Sequence, residues 1–214
     1  MRGDLVWIAE ADDWANSEFL KASVAQHTDD TALSFTDSNQ IDTDDNLLAP
    51  SYSYYYDTVD ASLFSKSFVM PGDEFVTRAM AVKNVIMNVS SVLWNRDDLE
   101  EGLEALGDEL ISYKLVGDWR LYLQALLTEG REVAYIHRAL NTHRRHAESV
   151  THALDHEKHL AEIQLMHQVV LDNLSDNDVS RATLKGDIDD YVVELRIQFG
   201  LDKKGDNEPE RVAA

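Results

Sequence analysis

The sequence predicts an α/β protein that ends in long helices. An apolar run of strand length at residues 5–9 is followed by helical spacing over 15–25 and by a second strand-like segment at 30–37. Strand, helix and strand in this order are typical of an α/β layer. At the other end of the chain, apolar residues recur every three or four positions over 148–174. That spacing predicts an amphipathic helix.

Length and composition limit the class of protein. The chain has 214 residues, 44% of them hydrophobic, which is enough for one domain with a helical appendage. Asp and Glu number 40 against 19 Lys and Arg, giving a net charge of −21. Because phosphate binding needs the opposite field, nucleic acid is excluded as a partner. Asp outnumbers Glu and Lys is scarce beside Arg, a balance typical of a halophilic source.

Targeting signals and cysteine chemistry are absent from the sequence. No cysteine is present, so neither a disulfide framework nor a thiolate zinc site is expected. No stretch resembles a cleaved signal peptide or an 18-residue apolar span. We therefore expect a cytoplasmic protein, with the inner face of a membrane as an alternative.

The remaining elements follow from apolar spacing and turn residues. We predict a long surface loop over 38–72, because this stretch is rich in Ser, Asp, Asn and Tyr. The other predicted elements are strands at 85–87, 91–94 and 131–137 and helices at 97–110, 118–127 and 187–199. We divide the chain into an α/β region (1–147), a helical appendage (148–200) and a disordered tail (201–214).

An acidic turn follows the first strand directly. Glu10, Asp12 and Asp13 lie in four consecutive residues. Carboxylates one residue apart at a strand end suit Mg²⁺ or Mn²⁺, which prefer hard oxygen ligands and leave room for phosphate oxygens. Taken alone, the same turn also fits a solvated acidic surface.

Four segments in order resemble family 2 glycosyltransferases of the GT-A type. They are the acidic-turn segment 7–14 with Glu18-Phe-Leu20, then 81–90, Gly117-Asp-Trp-Arg-Leu-Tyr122, and Leu140-Asn-Thr-His-Arg-Arg-His146 with Ser149-Val-Thr151. The resemblance covers residues 3–152. It implies the carboxyl-terminal half of a GT-A fold that lacks its first, nucleotide-binding strands. Those strands are lost, split off, or supplied by another chain.

The resemblance implies a function and a set of site residues. The expected reaction is inverting transfer of a sugar from a nucleotide-diphospho-sugar to a glycan, lipid-linked or protein acceptor, with Mg²⁺ or Mn²⁺ as cofactor. Its implied roles are metal ligation by Glu10, Asp12, Asp13 and His146, diphosphate binding by His143, Arg144 and Arg145, general base catalysis by Asp118, and an acceptor side of Lys83, Asn84, Asn88 and Trp119.

Two of these assignments have a simpler structural explanation. Asp118 also fits a helix N-cap. The basic cluster at 143–146 also fits a patch that pairs with surface acids.

A rival interpretation ignores the resemblance. Heptad spacing over 132–174 fits one continuous helix, in which His152, His156 and His159 share a face and are able to hold zinc. The protein would then be a non-catalytic acidic coiled coil or adaptor that binds a partner through 148–199. This hypothesis predicts a helix through 141–144 and no strand before Glu10. A degenerate transferase fragment that packs on a partner chain combines the two.

Overall fold

The computed structural model of the protein describes residues 3–146, 156–173 and 178–202. They form a mixed α/β protein with a curled, mixed seven-stranded sheet and carboxyl-terminal helices. The strands are β1 Leu5–Trp7, β2 Trp14–Ala15, β3 Thr31–Ile41, β4 Leu47–Ala49, β5 Phe68–Pro71, β6 Val92–Asn95 and β7 Glu132–Arg144. The helices are α1 Phe19–Val24, α2 Ser53–Asp60, α3 Gly72–Phe75, α4 Arg96–Leu106, α5 Asp108–Ser112, α6 Gly117–Leu126, α7 His156–Asn173 and α8 Asp178–Gln198.

The sheet is built around two long strands. Its order is β1-β6-β3-β7-β2, with β4 added to β3 and β5 added to β7. Strands β3 and β7 run parallel from Thr31↔Glu132 to Ile41↔Arg144, whereas every other pairing among the described residues is antiparallel. Register shifts around Asp37 interrupt the β3–β7 ladder, and such irregularities bend a sheet. The far end of β7 is thereby brought beside the turn that follows β1.

One apolar core joins the sheet to the carboxyl-terminal helices. Phe35, Trp94 and Tyr122 lie in it fully buried. Met166 of α7 and Ile188 of α8 belong to the same cluster. The two helices are therefore held by burial against the residues that precede them, which is the main source of helix stability in proteins.

Most of the predicted elements are confirmed. Strands occur at 5–7, 31–41, 92–95 and 132–144, and helices occur within 15–25, 97–110 and 118–127 apart from shifts at their ends. Gly107 divides the helix predicted for 97–110 into α4 and α5, since its φ of 45° ends α4. Helix α8 begins at Asp178, earlier than predicted.

The surface loop predicted for 38–72 is wrong. This stretch contains the end of β3, together with β4, α2 and β5. Its aromatic residues explain the difference, because Tyr56 stacks on Phe64 at 4.4 Å between ring centroids and both are buried. Ring burial outweighs the polar composition that suggested a loop.

The strand predicted for 85–87 is also wrong. The Asn84 side chain accepts from Ile86 N at 3.0 Å, and the Asn88 side chain accepts from Ser90 N at 2.9 Å. These local bonds compete with a strand ladder and turn the backbone. The segment 81–88 is consequently irregular although much of it is buried.

The continuous helix predicted for 132–174 by the rival interpretation is wrong as well. Residues 132–144 form β7, and β1 lies before Glu10. Residues 147–155, among them His152, lie outside the described part of the chain, as do 174–177 and 203–214 of the predicted tail. No helix among the described residues combines the length and apolar character that crossing a bilayer requires.

Candidate active site

The acidic turn is fixed by contacts with two other segments. Trp7 Nε1 donates to Ser90 O at 2.8 Å, and Glu10 N donates to Ser90 Oγ at 3.0 Å. Beyond the turn, β2 pairs with β7 through Trp14↔Thr142. The turn is thus held between the segment that precedes β6 and the end of β7.

The three carboxylates of the turn crowd one another. The pKa of Glu10 is raised by burial and then by the neighbouring charges of Asp13 and Asp12. Asp13 Oδ1 accepts from Arg144 N at 2.9 Å, while Asp13 Oδ2 is buried without a hydrogen-bond partner. Asp12 Oδ2 lies 2.7 Å from His146 Nε2, and this hydrogen bond lowers the pKa of Asp12. A local excess of negative charge results, and one of its oxygens has no partner.

Arg144 links the acidic turn to the loop between β3 and β4. Its Nε donates to Asp12 O at 3.0 Å, and one terminal nitrogen donates to Asp42 O at 2.8 Å and pairs with Asp45 at 2.7 Å. The guanidinium also lies 5.2 Å from the centre of the exposed Trp14 ring. Pairing with surface acids, the alternative weighed for the basic cluster, therefore describes Arg144 in this conformation.

His143 and Arg145 meet at Tyr52. The Tyr52 hydroxyl lies 2.6 Å from His143 Nδ1. The pKa of His143 is lowered first by burial, and the positive charge of the exposed Arg145 lowers it further. Both effects favour neutral His143.

Asp118 lies in the first turn of α6 but does not cap the helix. The N-cap is Val116, so the capping interpretation of Asp118 is wrong. Asp118 Oδ1 accepts from Trp119 N at 2.7 Å, and Oδ2 accepts from Asn84 Nδ2 at 3.2 Å. Desolvation by the surrounding protein raises the pKa of Asp118 to about 6, and the negative charge of Glu10 raises it further. Asp118 is thus a carboxylate that titrates near neutrality, which is what a general base requires.

A cavity of about 590 Å³ opens beside Asp118. Lys83, Asn84 and Trp119, three of the four residues predicted for an acceptor side, line it. Asn88, the fourth, is buried elsewhere and donates to Asn141 Oδ1 at 2.7 Å. The volume is that of a typical small-molecule site.

The predicted metal ligands do not form a ready-made centre. Within the described ranges, no three acidic or histidine side chains are spaced to hold a metal ion. His156 and His159, two of the three residues of the alternative zinc site, stack on Phe199 instead.

Several residues of this site were not predicted from the sequence. Tyr52 lies in the stretch interpreted as a loop, and Asn141 lies beyond the predicted end of β7. Phe199 directly follows α8, a helix that we assigned to a separate appendage. Of these, only Asn141 carried a signal, because it belongs to one of the four matching segments.

The chain was compared with models of protein families and with curated protein sequences. No protein-family model and no curated protein sequence matches the chain. Function is therefore inferred from the residues and their geometry.

Proposed function

We propose that this protein is an inverting glycosyltransferase of the GT-A type that transfers a sugar from a nucleotide-diphospho-sugar to an acceptor hydroxyl. The observation that carries the proposal is Asp118, a fixed carboxylate with its pKa raised to about 6 at the edge of a 590 Å³ cavity. The negative charge of Glu10, in the acidic turn, contributes to that pKa. A proton acceptor, an acidic turn and a cavity are the parts that such a transfer needs.

In the proposed reaction, Asp118 accepts the proton of the acceptor hydroxyl as its oxygen attacks the anomeric carbon. The new C–O bond forms while the bond from that carbon to the diphosphate oxygen breaks, so configuration inverts. Asn84 Nδ2 and Trp119 N hold the two carboxylate oxygens in place. Such positioning keeps the base within reach of its proton. The exposed guanidinium of Arg145 is a cation available to the leaving diphosphate.

The acidic turn is compatible with Mg²⁺ or Mn²⁺ in donor type and charge. Glu10, Asp12 and Asp13 supply hard oxygen ligands, and the unpartnered Asp13 Oδ2 together with the raised pKa of Glu10 indicates charge that a cation would relieve. His146 would join them on leaving its hydrogen bond with Asp12. When bound, the ion would supply neutralisation of the diphosphate charge.

The proposal includes a partner for β1. In the described sheet β1 is an edge strand, paired with β6 alone, and the adjoining Ile8 is 41% exposed. Open edges of this kind accept an added strand. We propose that a nucleotide-binding unit extends the sheet here and completes a GT-A fold.

Binding of inorganic diphosphate tests the transferase directly, because it does not need the nucleotide-binding unit. Calorimetric titration of the full chain with diphosphate should give binding that requires Mn²⁺. Asp13→Ala should weaken it by at least about tenfold, as removal of a metal-site group does. Glu104→Ala, which removes an exposed acid of α4, is the matched control and should bind as the wild type does. Metal-independent binding, or equal affinities in the two variants, would reject the metal-dependent transferase.

An adaptor function is a second candidate because α8 has an exposed apolar surface. Val193 and Ile197 lie four positions apart on α8 and are 53% and 47% exposed, so they share a helix face. An adaptor would bind its partner through this face and would show no Mn²⁺-dependent binding of diphosphate.

A further inference from the structure

One wall of the cavity beside Asp118 is made by the carboxyl-terminal helices. Phe199, directly after α8, stacks on His156 and His159, with ring centroids 4.7 Å and 5.1 Å apart and interplanar angles of 18° and 28°. His156 Nδ1 also lies 3.0 Å from Phe199 O. All three residues line the cavity. The three stacked rings give this side of the cavity an aromatic lining, hereafter the aromatic wall.

The wall that includes Asp118 is polar. Asn84 donates to Asp118, and its own carbonyl accepts from the Tyr55 hydroxyl at 3.0 Å. Lys83 Nζ lies 4.1 Å from the centre of the Tyr55 ring and donates to Thr58 Oγ1 at 2.5 Å. A ligand would therefore meet hydrogen-bonding groups near Asp118 and aromatic rings at the aromatic wall.

The cavity is nearly neutral although the chain carries −21. Its lining includes one carboxylate, Asp118, and one ammonium group, Lys83. The pKa of His159 is lowered by burial, which favours its neutral form. An anionic ligand would meet a single ammonium group that already has partners. A wholly apolar ligand would leave Asp118 and Asn84 desolvated without compensation.

We propose that the cavity is the acceptor site and that its ligand is a neutral pyranoside, packed against the aromatic wall with one hydroxyl at Asp118. A pyranose ring carries C–H groups on its faces and hydroxyls around its rim, which matches one aromatic wall and one polar wall. The inference rests on the proposed function, since Asp118 is the base for that hydroxyl. Helices α7 and α8 thereby complete the acceptor site instead of forming a separate appendage.

Saturation-transfer NMR on the full chain tests the site without donor or metal. The probes are the methyl α- and β-pyranosides of glucose, galactose, mannose and N-acetylglucosamine. At least one should bind, with transfer from protein aromatic protons to the C–H protons of the sugar ring. Phe199→Leu keeps apolar bulk but removes the ring, and we expect about fivefold to tenfold weaker binding. Phe199→Tyr should bind as the wild type does.

Leu165→Ala is the matched control, because Leu165 is an exposed α7 residue outside the cavity lining. It should leave glycoside binding unchanged, and circular dichroism checks that each variant is folded. Absence of binding by every glycoside to the wild type overturns the inference, whatever the variants do. Equal binding by Phe199→Leu and the wild type overturns packing of the sugar against the aromatic wall.

The two proposals fail separately. Intact Mn²⁺-dependent diphosphate binding with no glycoside binding would overturn the acceptor site alone. Glycoside binding that depends on Phe199, without diphosphate binding, would overturn the transferase and leave a carbohydrate site.

Discussion

Replacing Asp118 with asparagine removes a charge that the fold disfavours, and we expect the variant to be more stable than the wild type at neutral pH. In the folded protein the pKa of Asp118 is raised from 3.8 to about 6. The folded state therefore holds this proton more tightly than the unfolded state does, and the wild type loses stability as the pH rises from about 4 to 6. Above that window the full cost of the charged carboxylate is present.

The magnitude follows from the two pKa values. Linkage gives a cost to the wild type of about 1.5 kcal/mol at pH 5 and about 3 kcal/mol at pH 8. The variant has a cost of its own, because its amide nitrogen would face Asn84 Nδ2, a second donor, where Asp118 Oδ2 now accepts. That lost hydrogen bond is worth about 1 kcal/mol. Asp118→Asn should therefore gain about 0.5 kcal/mol at pH 5 and about 2 kcal/mol at pH 8.

Urea unfolding followed by tryptophan fluorescence, at constant high salt, measures both values. Glu104→Gln removes an exposed carboxylate of α4 and should change the free energy of unfolding by less than about 0.5 kcal/mol at either pH. The same Asp118→Asn protein should lose sugar transfer and retain diphosphate binding. A stability difference that is equal at pH 5 and pH 8 would refute the raised pKa of Asp118.

Three further predictions concern the scaffold and the surface. Gly72→Ala should destabilise the fold by about 1–3 kcal/mol in urea unfolding, since its new Cβ would lie 2.2 Å from Leu126 O; Gly186→Ala, in open space on α8, should instead stabilise by about 0.5–1 kcal/mol. Asp98→Ala should lower the free energy of unfolding by about 3 kcal/mol in the same assay, because it leaves Arg131 without its buried partner. Equal stability of variant and wild type would show that the ion pair does not stabilise the fold. Raising KCl should increase the midpoint of thermal unfolding by screening the −21 charge, and a midpoint independent of salt would contradict this.

Local signals allowed much of the scaffold and part of the site to be predicted. The apolar run before Glu10 predicts β1, and apolar spacing predicts α6 with Asp118 in its first turn. That the acidic turn and the basic end of β7 lie together came only from the resemblance. Their contact, such as Asp12 with His146, spans 134 positions, and no local pattern encodes a pairing so distant.

The aromatic wall of the cavity was not predictable for the same reason. Phe199 ends an amphipathic helix whose pattern indicates only that one face is buried. The partner of that face depends on the packing of α7 and α8 on the core, for example on His167 Nε2 lying 2.8 Å from Val82 O. A histidine on a helix gives no sign of a carbonyl 85 positions away.

Two carboxylates with raised pKa values interact beside the cavity. The pKa values of Glu10 and Asp118 are both raised, each first by its surroundings, and the charge of Glu10 acts on Asp118. Buried polar atoms without hydrogen-bond partners occur here, as at Trp119 Nε1, but also elsewhere in the described structure, as at Ser23 Oγ. The two carboxylates are therefore the more specific signal. A sequence selected for stability alone would neutralise or pair them, whereas interacting carboxylates with perturbed pKa values are characteristic of a functional site. Asp118 lines the cavity, which makes this cavity the first place to look for a ligand.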